Sequence, residues 1–269
     1  MASIGELPEA EPAGRFDPAA AAARVAAAMA PQAGAERAAQ RAERAERAQR
    51  AAQAKAYLKS DLDFLGVSVP GIRQAVTAEA RGWPELGRDG VLAWAQALWD
   101  APVHERRTAA IEVLRRYLSG LEPADLALVE AWVRVAHGWA YVDPLAGDIA
   151  GPIALRHPQA WPLIDAWAVD ADFWVRRSAL LTLLAGIRDG QPDLERFERY
   201  ATPMLGEKEF FIRKAIGWVL RETSKRDPAY VAAWTGAHLD RMSGVTFREA
   251  VRRLPEAQAA PLRDAYRHR

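Results

Sequence analysis

The chain has 269 residues, with 36 Lys and Arg against 35 Asp and Glu, half of its residues hydrophobic and 26% charged. That balance suits a globular protein of one large or two small domains and argues against an extended disordered chain. Cysteine is absent, which removes disulfides, Cys-based zinc sites and a thiol nucleophile. The near-neutral total hides a basic C-terminal quarter: residues 201–269 hold 13 basic against 8 acidic residues. Such an excess either attracts an anionic partner or is solvated surface charge.

Residues 1–16 are rich in Pro, Glu and Gly and read as a disordered tail ahead of a single domain over 17–269. The tail is acidic and has no apolar core, so no signal peptide is expected, and no segment approaches the roughly 18 apolar residues of a membrane span. A cytoplasmic protein follows. Residues 18–54 are dominated by alanine, with Arg37, Arg41, Arg44, Arg47 and Arg50 recurring among Glu36, Glu43 and Glu46. Alanine favours helix and these charges can pair along it. The stripe reads as a solvated helix face or, alternatively, a basic DNA-contacting arm.

From about residue 55 the pattern is helix after helix, with starts marked by Pro70, Pro123, Pro144, Pro158, Asp172 and Pro228. Short gaps between them argue for antiparallel pairs. The pairs repeat. The stretch from Asp172 to Ala179 aligns with that from Glu209 to Ile216 at an offset of 37, Phe247 and Arg248 sit 36 beyond Phe211 and Ile212, and Glu105–Ala109 echoes the pattern further upstream. This period predicts an all-α fold, an α-solenoid of HEAT-like repeats whose concave face is a binding surface.

Three segments carry candidate chemistry. On a helix over 208–225, Phe210, Lys214, Trp218, Arg221 and Lys225 share one face, while Ile212, Ile216, Val219 and Thr223 lie opposite. A cationic stripe holding an indole suits nucleic acid, because cations neutralise phosphates and the ring packs on sugar or base; a solvated face whose aliphatic stems cover the tryptophan is the plainer alternative. On a helix over 172–188, Arg177 shares a side with Phe173, Leu181 and Leu184. A guanidinium there needs a partner: a structural carboxylate, a phosphate or a catalytic carboxylate. In the third segment, His137 to Pro144, Asp143 ahead of Pro144 reads as a helix N-cap, yet Trp139 four residues earlier would share its side of a helix. The phosphate-binding, metalloprotease and nucleophile-elbow motifs are missing and the five histidines are dispersed, so neither metal nor cofactor is expected.

Several stretches together resemble the DNA alkylation repair glycosylases of the AlkD-like, HEAT-repeat type, over roughly residues 18–255. They are Ala56–Ser60 with Phe64–Val67 and Pro70, Trp99 with Glu105 and Ala110-Ile111, Gly138–Asp143, Phe173–Arg177, and Phe210–Trp218. The resemblance implies a monofunctional glycosylase that hydrolyses the N-glycosidic bond of cationic N3- or N7-alkylated purines in duplex DNA. The protein would act as a monomer, without cofactor, in the cytoplasm and on the nucleoid when bound to DNA. It further implies that Asp143 is the catalytic carboxylate, that Trp139 and Trp218 flank the lesion-bearing sugar, and that Arg177 holds the backbone near the carboxylate. Tyr57 would be an aromatic contact at the lesion. Lys214, Arg221, Lys225 and Arg248 complete the expected DNA contacts. Gly138 and Ala140 stand where the family often has a second tryptophan and an acid, and Pro144 directly after Asp143 is also a departure. Two other functions fit the repeat: a noncatalytic HEAT-like scaffold that binds DNA or protein, and a protein-interaction module with no nucleic-acid role.

Overall fold

A computed structural model of the protein describes residues 15–30 and 38–269, with side chains described from Arg44 onward in the second stretch. The tail expected over 1–16 lies outside the described residues except for Arg15 and Phe16; Glu36, Arg37, and the side chains of Arg41 and Glu43 lie outside them as well. Among the described residues the fold is all-helical, of the α-solenoid type, with no strand beyond a single bridge between Asp63 and Val103. No described helix is long and apolar enough to cross a membrane. The chain forms two compact units: the residues up to Lys55 with Asp61–Val113, and Ala56–Ser60 with Leu114–Arg269.

The first unit draws on α1 (Pro18–Met29), α2 (Ala38–Leu58), α3 (Val69–Ala80), α4 (Arg88–Trp99) and the start of α5 (His104–Arg116). Asp17 caps α1 by accepting from the Ala19 and Ala20 amides, with Pro18 at the first helical position. The small buried face of α1, Ala21, Ala22, Val25 and Met29, lets it pack closely on α3 and α4. Phe16 sets its ring edge-on against Trp83 and Trp94, with centroids 4.9 and 5.9 Å away. Two arginines of the alanine-rich stripe turn onto their own unit's backbone: Arg47 donates to the Met29 carbonyl at 2.6 Å and Arg50 to the Gly66 carbonyl at 3.3 Å. Those two are therefore committed to holding α2 in place.

The second unit runs through α6 (Leu126–Ala136), α7 (Trp139–Pro144), a π-helical turn over Leu145–Ala150, α8 (Gly151–Arg156), α9 (Trp161–Trp167), α10 (Phe173–Thr182), α11 (Leu184–Asp189), α12 (Leu194–Met204), α13 (Phe210–Thr223), α14 (Pro228–Ala237), α15 (Gly244–Ala250) and α16 (Glu256–Arg267). The repeat is plain here. Asp172 caps α10 and Glu209 occupies the same place before α13. Ring Trp174 meets ring Phe211 at 4.7 Å, and Val175, Ile212, Ala179 and Ile216 are buried at equivalent positions. Helices α10, α13 and α15 pack in succession. Gly217 permits the last step: a Cβ there would come within 2.6 Å of Glu249 Cβ and 3.0 Å of the Thr246 carbonyl.

Candidate active site

Asp143 sits inside a helix and is no cap, which corrects the start expected at Pro144. α6 ends at His137, which takes a left-handed conformation with φ 46°, and α7 begins directly after an extended Gly138. Pro144 then lies within continuous helical backbone. Having no N–H, it cannot complete the regular ladder, and the chain widens into the π turn over Leu145–Ala150 immediately after it. π turns of this kind are often found at functional sites.

Asp143 is held from α10. Arg177 donates from Nε to Oδ1 and from Nη2 to Oδ2, both at 2.8 Å, and its Nη1 donates to the Phe211 carbonyl. The arginine side chain is 3% exposed and the aspartate 15%. Of the partners open to Arg177 on the sequence, the structure supplies a carboxylate. Burial pushes the Asp143 carboxyl above its ordinary range, against the pull of Arg177, and the Asp148 carboxylate adds to the rise. A buried pair of this kind seldom adds net stability compared with apolar packing, so its presence needs a reason beyond the core. The bidentate fork uses one acceptor site on each oxygen, and a carboxylate has about four.

The open side of Asp143 faces a cleft of about 240 Å³, lined by Trp139 and Trp218 together with Pro144, Asp148, Leu184 and Arg188. Trp139 and Trp218 are half-buried. Tyr57, exposed at the end of α2, meets Trp139 edge-on with centroids 6.0 Å apart. Tyr57, Trp139, Asp143, Arg177 and Trp218, which lie far apart in sequence, thus come together in the second unit.

The basic stripe of α13 is less free than the sequence suggests. Lys214 and Arg221 both bind the carboxylate of Glu249 on α15, which is 10% exposed. Burial works against the charge on Glu249, but Lys214 and Arg221 outweigh it and hold its carboxyl below the ordinary range. Arg221 also lies over the Trp218 ring at 6.0 Å. Lys225 pairs with Glu222 at 2.5 Å, and Arg248 is exposed on α15. The opposite face, Ile212, Ile216, Val219 and Thr223, is buried as expected. Glu249, Asp148 and Arg188 were not singled out from the sequence. A signal existed: Glu249 lies 35 residues after Lys214 and Asp143 lies 34 before Arg177, so opposite charges one repeat apart are candidates to meet.

A family model described as DNA alkylation repair enzyme matches residues 39–254. The chain belongs to the DNA alkylation repair enzyme family. A solved structure titled "Predicted DNA alkylation repair enzyme from Enterococcus faecalis" superposes with a TM-score of 0.70 at 23% identity, over 77% of this chain and 96% of that one; this likeness concerns the fold. Curated proteins gave no match. Family membership supports an enzymatic role in repair of alkylated DNA. Within this fold the Asp143–Arg177 pair lies beside two indoles on one cleft.

Proposed function

We propose that the protein is a monofunctional DNA glycosylase that hydrolyses the N-glycosidic bond of cationic N3- or N7-alkylated purines in duplex DNA. The observation that carries this reading is Asp143, clamped by Arg177 and open to a cleft between Trp139 and Trp218. Alkylation at N3 or N7 makes the base cationic, so the bond from C1′ breaks with its electron pair going to a base that departs neutral. No general acid is needed, unlike most glycoside hydrolysis. Positive charge is left on the sugar as an oxocarbenium-like species. The Asp143 carboxylate stabilises that charge and orients a water whose oxygen bonds to C1′, the proton passing to the carboxylate or to solvent. Indole faces at Trp139 and Trp218 add about 0.5–2 kcal/mol each through cation–π attraction. Arg177 keeps the carboxylate aimed, and the deep burial of this pair removes the reorganisation that water would impose.

The test is single-turnover release of 7-methylguanine or 3-methyladenine from methylated duplex DNA by wild type and Asp143→Asn. The variant should be slower by about 10²–10⁴, with equal or tighter affinity for the duplex because an anion has been taken away from the phosphates. Excision at the wild-type rate would remove Asp143 from the chemistry. If the wild-type protein binds the duplex and releases neither base, the noncatalytic scaffold is the correct reading.

A further inference from the structure

We infer that Arg188 is the phosphate ligand of the cleft: it takes the backbone phosphate next to the sugar that Asp143 addresses, with Asp148 and Arg115 holding it ready. The inference rests on the glycosylase reading above. A carboxylate that must approach a polyanion needs a cation on the same cleft. Arg177, to which the resemblance gives the backbone, is already engaged in this structure. Its guanidinium is 3% exposed and committed to Asp143 and the Phe211 carbonyl, so giving it to a phosphate would strip Asp143 of its clamp. Lys214 and Arg221 are turned to Glu249 and do not line the cleft.

Arg188 has the opposite properties. It lines the cleft with Asp143, Trp139 and Trp218, and its side chain is 46% exposed. Its ion pair is a long one, 3.5 Å from Nη1 to Asp148 Oδ1, whereas Asp148 Oδ2 already has Arg115 Nη2 at 2.5 Å. Asp148 therefore keeps a countercharge when Arg188 swings away. The backbone beneath is fixed: the Arg188 carbonyl accepts from Arg226 Nη2 at 2.6 Å, and Gly190, with φ 86°, ends α11. A pinned base with a loosely held planar fork suits bidentate capture of a phosphate.

The experiment measures binding to a duplex carrying a tetrahydrofuran abasic analogue, which cannot be excised, as a function of salt. Wild type, Arg188→Ala, Arg188→Gln and Arg188→Lys are compared, with melting temperatures alongside and Arg199→Ala, on α12 away from this cleft, as reference. Loss of one phosphate contact should lower the slope of log affinity against log salt by about 0.9 in the alanine and glutamine variants. Lysine should restore it, and Arg199→Ala should leave it unchanged. Wild-type slopes in both neutral variants would overturn the assignment and leave Arg188 as an ordinary surface ion pair. The two readings fail separately. A wild type that binds but does not excise sinks the glycosylase while the slopes still decide Arg188; one that excises with slopes unchanged in the variants sinks Arg188 alone.

Discussion

Two carboxylates largely shielded from solvent, Glu105 in the first unit and Asp143 in the second, are satisfied by different chemistry. In the first unit Glu105, 1% exposed, accepts from three successive backbone amides, those of Leu65 at 2.9 Å, Gly66 at 2.8 Å and Val67 at 3.3 Å. In the second unit Asp143 accepts from one guanidinium and keeps an open side on a cleft. Amide donors fix a loop: they order the chain before α3, where Gly66 has φ 71° and a Cβ would sit 2.0 Å from the Arg47 carbonyl. A guanidinium fixes only the carboxylate's direction and leaves acceptor sites for something else. Family resemblance touches both residues, but of the two only Asp143 lines a cleft. Burial of a charged group is therefore not by itself a mark of chemistry; the distinction lies in what remains unoccupied.

The strongest way to break this comparison is to neutralise each carboxylate in turn. Asp143→Asn should cost about 3–5 kcal/mol of transition-state stabilisation, the 10²–10⁴ loss in rate stated above. Glu105→Ala should instead lower stability by about 3 kcal/mol, since three amides lose their acceptor, while the excision rate of the folded fraction is unchanged. Denaturant unfolding together with single-turnover kinetics on both variants checks this, and the comparison collapses if Glu105→Ala slows the chemistry in fully folded protein. Next in size, Gly66→Ala should destabilise by about 2 kcal/mol through its left-handed backbone and the approach of the Arg47 carbonyl, again without kinetic effect.

The smallest effects are in pH. The Asp143 carboxyl is held above its ordinary range by burial, so its contribution to stability is fully present below the unfolded value of about 3.9 and is lost as pH rises through the folded one. On the proposed glycosylase reading, excision uses the ionised form and should accordingly fall off on acidification while still above the ordinary carboxylate range. Glu249 has the opposite sign. Its lowered value means stability that is present above about pH 4.3 and lost as pH falls through the folded value. Glu249→Gln should flatten the acid limb of the stability profile, and equilibrium unfolding at a series of pH values measures it.

Much of the fold was legible because it rests on local chemistry. Pro70, Pro123, Pro158, Asp172 and Pro228 each open or cap a helical segment, as a fixed φ or a capping carboxylate dictates. The 37-residue offset identified α10 and α13 as equivalent because the same face is buried in both. Pro144 failed for a physical reason. Proline at a helix start and proline tolerated beside a π turn look identical in sequence, and the choice is made by the packing of α7 against α10 and its Arg177 clamp. Lys214 and Arg221 were legible as a shared face but not as partners of Glu249, since facial periodicity describes one helix and ion pairing belongs to two. The repeat itself links them: Arg134 with Asp170 and Arg176 with Glu207 also pair across 36 and 31 residues.

The π turn after Pro144 amounts to one surplus residue in an otherwise α-helical run from Trp139 to Arg156. In a regular helix, residues five apart point about 140° away from each other; at the wider π pitch they come back toward the same side. Asp143 and Asp148, five residues apart across this turn, both line one cleft. The aim of the second carboxylate is thus encoded in chain length rather than in residue type. Deleting a single residue between Leu145 and Ala150 would let the helix close to α pitch and would rotate one end by about 100° against the other. It would uncouple Asp148 and its arginines from Asp143 without changing the identity of any of these side chains.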